Sequence, residues 1–191
     1  MATFYLDIET YVPEQINHKV NQIITIAYQQ MDSTTGEPTG DLNILKSWES
    51  SEQNILRRLH GIFNPFDKQR RWDFIPIGFN LRFDFITLLH RWRDILGIKV
   101  NGTSLFADQP CIDIRPIVIL FNQGQFKGAS LQNYSSKKQS GAAIKDLYTN
   151  KDYDAIDSYI RDETDGFLKL YQFIAKTLPP IWQEYSNNPH P

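Results

Sequence analysis

Apolar positions first cluster in short β-branched runs and then, past residue 50, recur every three to four residues. Residues 3–8 (TFYLDI) and 22–30 (QIITIAYQQ) are rich in β-branched and aromatic side chains and read as strands, with 42–46 (LNILK) as a third. The stretches between them, 13–21 and 32–41, hold the turn residues Pro13, Gly36, Pro38 and Gly40, so short antiparallel connections are expected. Ser50 and Ser51 then offer an N-cap to a helix marked by Ile55, Leu59 and Ile62 and closed by Phe63 and Pro65. A buried strand is expected over 74–79 (FIPIGF), an amphipathic helix over 83–96 ending at Gly97, a short strand over 111–114 and a helix over 116–121. The Gly-, Ser- and Lys-rich region 123–145 leaves room for one short helix near 130–136. A long helix is expected from 153 to about 177, stopped by Pro179-Pro180 and followed by a frayed end. The pattern shows no internal repeat and predicts one domain over 1–178 with a tail over 179–191.

Composition narrows the class. The chain has 191 residues, 41% hydrophobic and 13% aromatic, enough for a sizeable core and incompatible with global disorder. Twenty basic against 22 acidic residues give a net charge of -2, which argues against a bulk nucleic-acid coat protein. No apolar run reaches a membrane-spanning length, and MATFYLDIET lacks a signal-peptide pattern, so no membrane association is expected. The lone Cys111 excludes an internal disulfide framework and a cysteine zinc cluster; it fits a reducing, cytoplasmic setting and is expected in a buried strand. Between Arg57 and Lys99 nine basic residues face four acidic ones, whereas Asp146 to Glu184 carries eight acids and four bases. The imbalance fits either a polyanion-facing side beside an acidic pocket or ordinary solvated helix faces.

Three groups of carboxylates carry the candidate chemistry. Asp7 and Glu9 close the first strand as Asp-x-Glu, and residues two apart on a strand share a face. Such a pair suits a hard divalent cation, although a polar strand exit gives the same pattern. In GFNLRFDFITL, Asn80 opens a turn, Phe83 is expected to pack inward and Asp84 starts a helix. Asp84 there serves either the helix dipole or a site over the sheet edge near Asp7. In the last long helix the apolar stripe Ile156, Ile160, Phe167, Leu170 and Ile174 calls for a member at position 163, which is Glu163. An acid on a buried stripe is costly unless paired or metal-bound. Tyr159 lies one turn before it, and Asp154, Asp157 and Asp165 read as exposed acids. The four histidines, His18, His60, His90 and His190, have no metal-ligand spacing, and no phosphate loop, dinucleotide fingerprint or serine elbow is present.

Together FYLDIET, NLRFD and the Tyr159–Glu163 spacing resemble the three motifs of the DEDD superfamily of 3′–5′ exonucleases. The branch they resemble is the tyrosine-containing one that includes the proofreading domains of B-family DNA polymerases. The segments CIDIRP and KGASLQNY are similar to connecting segments of free-standing members, and the resemblance covers residues 3–174. The element order also suits an α/β, ribonuclease H-like, three-layer fold with a five-stranded mixed sheet and helices on both faces. The resemblance implies a metal-dependent exonuclease with two Mg²⁺ or Mn²⁺ ions. Asp7 would bridge them, Glu9 and Glu163 would complete one site, Asp84 would support the other, and Tyr159 would position the attacking water.

The implied substrate is single-stranded DNA or a frayed 3′ end, with Thr10, Asn80, Arg82, Phe83 and Lys127 as substrate-binding candidates. Lys137 and Lys138 are further backbone contacts by charge. A proofreading role implies a polymerase or repair partner in trans. The family's third motif is usually Tyr-x3-Asp. Here the matching residue is Glu163, with Asp162 beside it at a shortened spacing, so both remain candidates for the fourth ligand. A non-catalytic nucleic-acid-binding or partner-binding domain of the same fold, and an RNA-directed exonuclease, are the alternative readings.

Overall fold

The computed structural model describes residues 1–12, 21–134 and 142–187. Five strands form one sheet in the order β3-β2-β1-β4-β5: β1 (Thr3–Tyr11), β2 (Gln22–Gln30), β3 (Asn43–Lys46), β4 (Ile75–Gly78) and β5 (Ile112–Asp113). The first three strands pair antiparallel, as the short connections imply, and β4 and β5 add in parallel on the far side of β1. The sheet is therefore mixed, with β1 at its centre.

Side-chain alternation along β1 builds two cores. Leu6 and Ile8 point to a layer made of α1 (Glu52–Ile62) and α2 (Leu81–Leu96), where Leu56, Leu59, Phe85 and Trp92 are fully buried or nearly so. Tyr5 points to the opposite layer, built mainly by α3 (Arg115–Phe121), α5 (Ala142–Thr149) and α6 (Tyr153–Asn187), with the short α4 (Leu131–Tyr134) against α6. A register shift opposite Glu9 and Thr10 inserts Ile24 into β2. An inserted residue reverses the alternation, which is why Ile23 and Ile26 share one core while Ile24 and Ala27 share the other. The result is the three-layer, ribonuclease H-like α/β arrangement that the element order implies.

Capping follows the sequence at both early helices. Ser51, rather than Ser50, caps α1 by accepting the Asn54 N–H at 3.1 Å. Glu52 in its first turn accepts from Ile23 N–H and from the Arg91 guanidinium of α2, tying both helices to the sheet. Gly97 ends α2 in the left-handed conformation.

Several expectations are corrected. Pro179 and Pro180 do not stop α6, which continues to Asn187. They remove the hydrogen bonds due to the Ala175 and Lys176 carbonyls, but Ala175 is only half-buried, Lys176 is exposed and residues 179–187 beyond them are all exposed, so water can reach those groups. β1 extends three residues beyond residue 8, α5 occupies part of the region expected to be irregular, and a π-helical turn forms at Ser104–Asp108. Cys111 is exposed and lies just outside β5, because that strand pairs over only two residues. Phe83 faces solvent at 42% exposure. Among the described residues no helix is long and apolar enough to cross a membrane.

Candidate active site

Asp7 and Glu9 emerge from β1 on the face it shares with Tyr5, the face that α6 covers. The buried stripe of α6, continuous from Ile156 to Ile174, presents Tyr159 and Glu163 to that face, whereas Asp162 is exposed. One carboxylate oxygen each from Asp7, Glu9 and Glu163 lies within 4.8 Å of the other two. The strand supplies two acids at a spacing its pleat fixes, and the helix supplies the third by continuing its apolar stripe with an acid.

Asp84 reaches the same strand from the other layer. The β1–β4 pairing ends at Tyr5 and Ile77, so the Ile8 N–H lies beyond the end of that ladder. Asp84 Oδ1 accepts it at 3.2 Å. The chain gets there through Gly78, where a Cβ would stand 2.8 Å from the Leu6 carbonyl oxygen, and through Asn80, which is left-handed at φ 64° and ψ 41°. In the first turn of α2, Arg82 and Phe83 then face solvent while Asp84 turns inward to 3% exposure.

Charge crowding shapes the protonation of the site. Burial pushes the Asp84 carboxyl well above the usual range, the Asp113 and Glu163 carboxylates push the same way, and hydrogen bonds from its own backbone and Ile8 oppose them. The Tyr159 phenol is raised by burial, then by the charges of Glu9 and Glu163 and by its hydrogen bond to Glu163, so it stays protonated and acts as a donor. Tyr5 behind it is raised by burial and by Asp7 and Glu163.

These shifts give a stability prediction. With its carboxyl raised in the folded state, Asp84 keeps a proton that the unfolded chain has already released. Its favourable contribution is complete below the ordinary carboxylate range and is lost as pH rises through that range towards the raised value. In chelator, the thermal midpoint of the native sequence should therefore fall relative to that of Asp84→Asn as pH rises above the ordinary carboxylate range. Parallel melting profiles would contradict this origin of the shift.

The substrate-binding candidates divide by position. Thr10 follows Glu9 on β1 and is half-buried, and Asn80, Arg82 and Phe83 surround the start of α2. Lys127 is exposed in the loop between α3 and α4, and among the described residues its side chain makes no hydrogen bond or ion pair that ties it to the carboxylates. Lys137 and Lys138 lie outside the described residues, as do His18 and His190. Asp113 and Arg115 were not among the sequence candidates, yet both bond to Asn80. Their only signal was the CIDIRP segment. A separate groove of about 560 Å³, lined by Thr34, Lys169 and Phe173 among others, contains none of the clustered acids.

No protein-family model and no curated protein matches the sequence. Solved structures do. Exonuclease I of E. coli in complex with a dT13 oligonucleotide superposes with a TM-score of 0.57 at 12% identity, over 96% of this chain and 43% of that one. A product-bound exonuclease I gives 0.59 at 10% identity, over 96% and 45%. An exonuclease I complex described as ExoI/SSB-Ct gives 0.55 at 11% identity, over 96% and 43%. This chain thus spans less than half the length of those proteins, and at such low identity what it shares with them is the ribonuclease H-like fold.

Proposed function

We propose that the chain is a metal-dependent 3′–5′ exonuclease of the tyrosine-containing DEDD type, acting on single-stranded DNA or frayed 3′ ends. The observation that carries this reading is the convergence of Asp7, Glu9 and Glu163 within 4.8 Å at the end of a central strand. Asp84 bonded to the same strand and Tyr159 bonded to Glu163 add to it. An all-carboxylate donor set fits Mg²⁺ or Mn²⁺, which prefer hard oxygen ligands. Asp7, Glu9 and Glu163 would hold one ion, and Asp7 with Asp84 a second. Bound there, the ions would lower the pKa of the attacking water and stabilise the leaving oxygen.

The remaining chemistry belongs to the chain. Tyr159, protonated and donating its O–H to Glu163 one helical turn away, would accept a hydrogen bond from the water and so orient it. The water oxygen bonds to phosphorus as the bond to the 3′ oxygen breaks. The terminal nucleotide leaves as a 5′-monophosphate, and the shortened strand takes up a proton at its new 3′ hydroxyl. Arg82, exposed two residues before Asp84, would neutralise a backbone phosphate. The exposed Phe83 ring offers a face on which a terminal base can stack. The oligonucleotide bound by exonuclease I in one of the superposed structures supports a single-stranded substrate for this fold.

The test uses 5′-labelled single-stranded DNA and RNA and a circular single strand, each with Mg²⁺, Mn²⁺ or chelator. Stepwise shortening of linear DNA from the 3′ end, loss of activity in chelator and an intact circle are expected. Cleavage of the circle, or shortening from the 5′ end, would overturn the reading. Metal-dependent retention of the strand without cleavage would identify a binding domain instead.

A further inference from the structure

The turn that delivers Asp84 is held by a side-chain clamp from the neighbouring strand. Asn80 precedes α2 and adopts the left-handed conformation, which residues bearing a Cβ tolerate poorly unless something fixes them. Its side chain makes no capping bond to α2. The Asn80 Oδ1 instead accepts from Arg115 Nη1 at 2.7 Å, and the Asn80 N–H donates to Asp113 Oδ1 at 2.8 Å. The same Asp113 oxygen accepts the Arg115 N–H at 3.0 Å. Two hydrogen bonds thus tie the β4–α2 turn to the β5–α3 turn, the third braces Asp113 within its own turn, and Asp84 stands one helical turn beyond Asn80. The bond from Ile8 N–H to Asp84 is 3.2 Å, at the long end of the usual range, so it alone holds the carboxylate loosely.

We propose that Asp113 is a positioning residue for the reaction inferred above, aiming Asp84 through Asn80, with Arg115 closing the clamp. This inference rests on the exonuclease reading. The clamp itself uses the Asp113 acceptor oxygen, and the Asp113 charge that acts on Asp84 does not hold the turn: any side chain that presents a carbonyl at the Oδ1 position can receive both N–H groups. The Arg115 side chain reaches the turn through Asn80, to which its guanidinium donates.

The experiment compares kcat and KM for a 5′-labelled oligonucleotide, with melting curves, for the native sequence, Asp113→Ala, Asp113→Asn and Arg115→Leu. Asp113→Ala should lower kcat about 10- to 100-fold with KM little changed, the scale expected when a reacting group is misplaced by a fraction of an ångström to an ångström. Asp113→Asn, which keeps the acceptor, should recover most of that loss. Arg115→Leu, which leaves both bonds to Asp113 intact, should lower kcat several-fold at unchanged KM, and it carries the test if Asp113→Ala does not fold. Normal kcat in Asp113→Ala would show that the clamp only adds stability. Asp113→Asn as inactive as Asp113→Ala would show that the charge itself is required, and a rise in KM alone would show a substrate contact; any of these overturns the positioning role. A native protein that shortens no 3′ end takes down the exonuclease reading and this inference with it, whereas an active native protein with a fully active Asp113→Ala removes only the clamp.

Discussion

Asp7→Asn is expected to lower the rate of 3′-end hydrolysis by several orders of magnitude while leaving the protein folded. The substitution keeps side-chain size on a half-buried strand position, so neither core changes. What it removes is the charge that both proposed ion sites share. A neutral amide oxygen is a weaker ligand for Mg²⁺ than a carboxylate, and the loss falls on both ions at once. Tyr159→Phe should cost less, since it removes an orienting hydroxyl and no ligand. Single-turnover rates on a labelled oligonucleotide, with melting curves in chelator, check both substitutions. Near-native turnover in a folded Asp7→Asn protein would remove this residue from the site.

The second large effect separates Glu163 from Asp162. Successive helix residues turn by about 100°, so neighbours cannot serve one pocket equally. Glu163 is 8% exposed and lies in the acidic cluster, whereas Asp162, about 100° round the helix, is exposed. The extra methylene of glutamate, relative to the aspartate usual in the resembled motif, lets the carboxylate reach from the helix to the strand pair. Glu163→Gln should abolish Mg²⁺-dependent hydrolysis and remove most of the rise in melting temperature that Mg²⁺ gives. Asp162→Asn should leave both close to native. The opposite pattern would require α6 to be rewound locally so that Asp162 enters the site.

How much of this was legible in the sequence depended on whether the signal was local. β2 was read to its exact ends because β-branched residues fill it, and the antiparallel start followed from short connections. The inward position of Glu163 was legible because helical periodicity predicts which residue shares a face with Ile160 and Phe167. Asp7 and Glu9 were legible as a pair for the same reason on a strand. Phe83 was misplaced because the helix begins two residues earlier than expected, which rotates that ring to solvent and sends Asp84 inward. The continuation of α6 past Pro179-Pro180 escaped a local rule, since proline costs a helix least where its freed carbonyls meet water. Asp113 and Arg115 could not have been found from spacing at all: their contacts to Asn80 span 33 and 35 residues and exist only once β4 and β5 pair.

Metal-dependent hydrolysis at this site requires that Asp7, Glu9 and Glu163 together hold a divalent cation. Anomalous diffraction from crystals soaked in Mn²⁺, in a packing that leaves the end of β1 open to solvent, tests it directly. A strong anomalous peak among these three carboxylates, absent from Asp7→Asn crystals, is the predicted result. Mn²⁺ bound elsewhere with none at the three acids, or a peak that persists undiminished without the Asp7 charge, would contradict it.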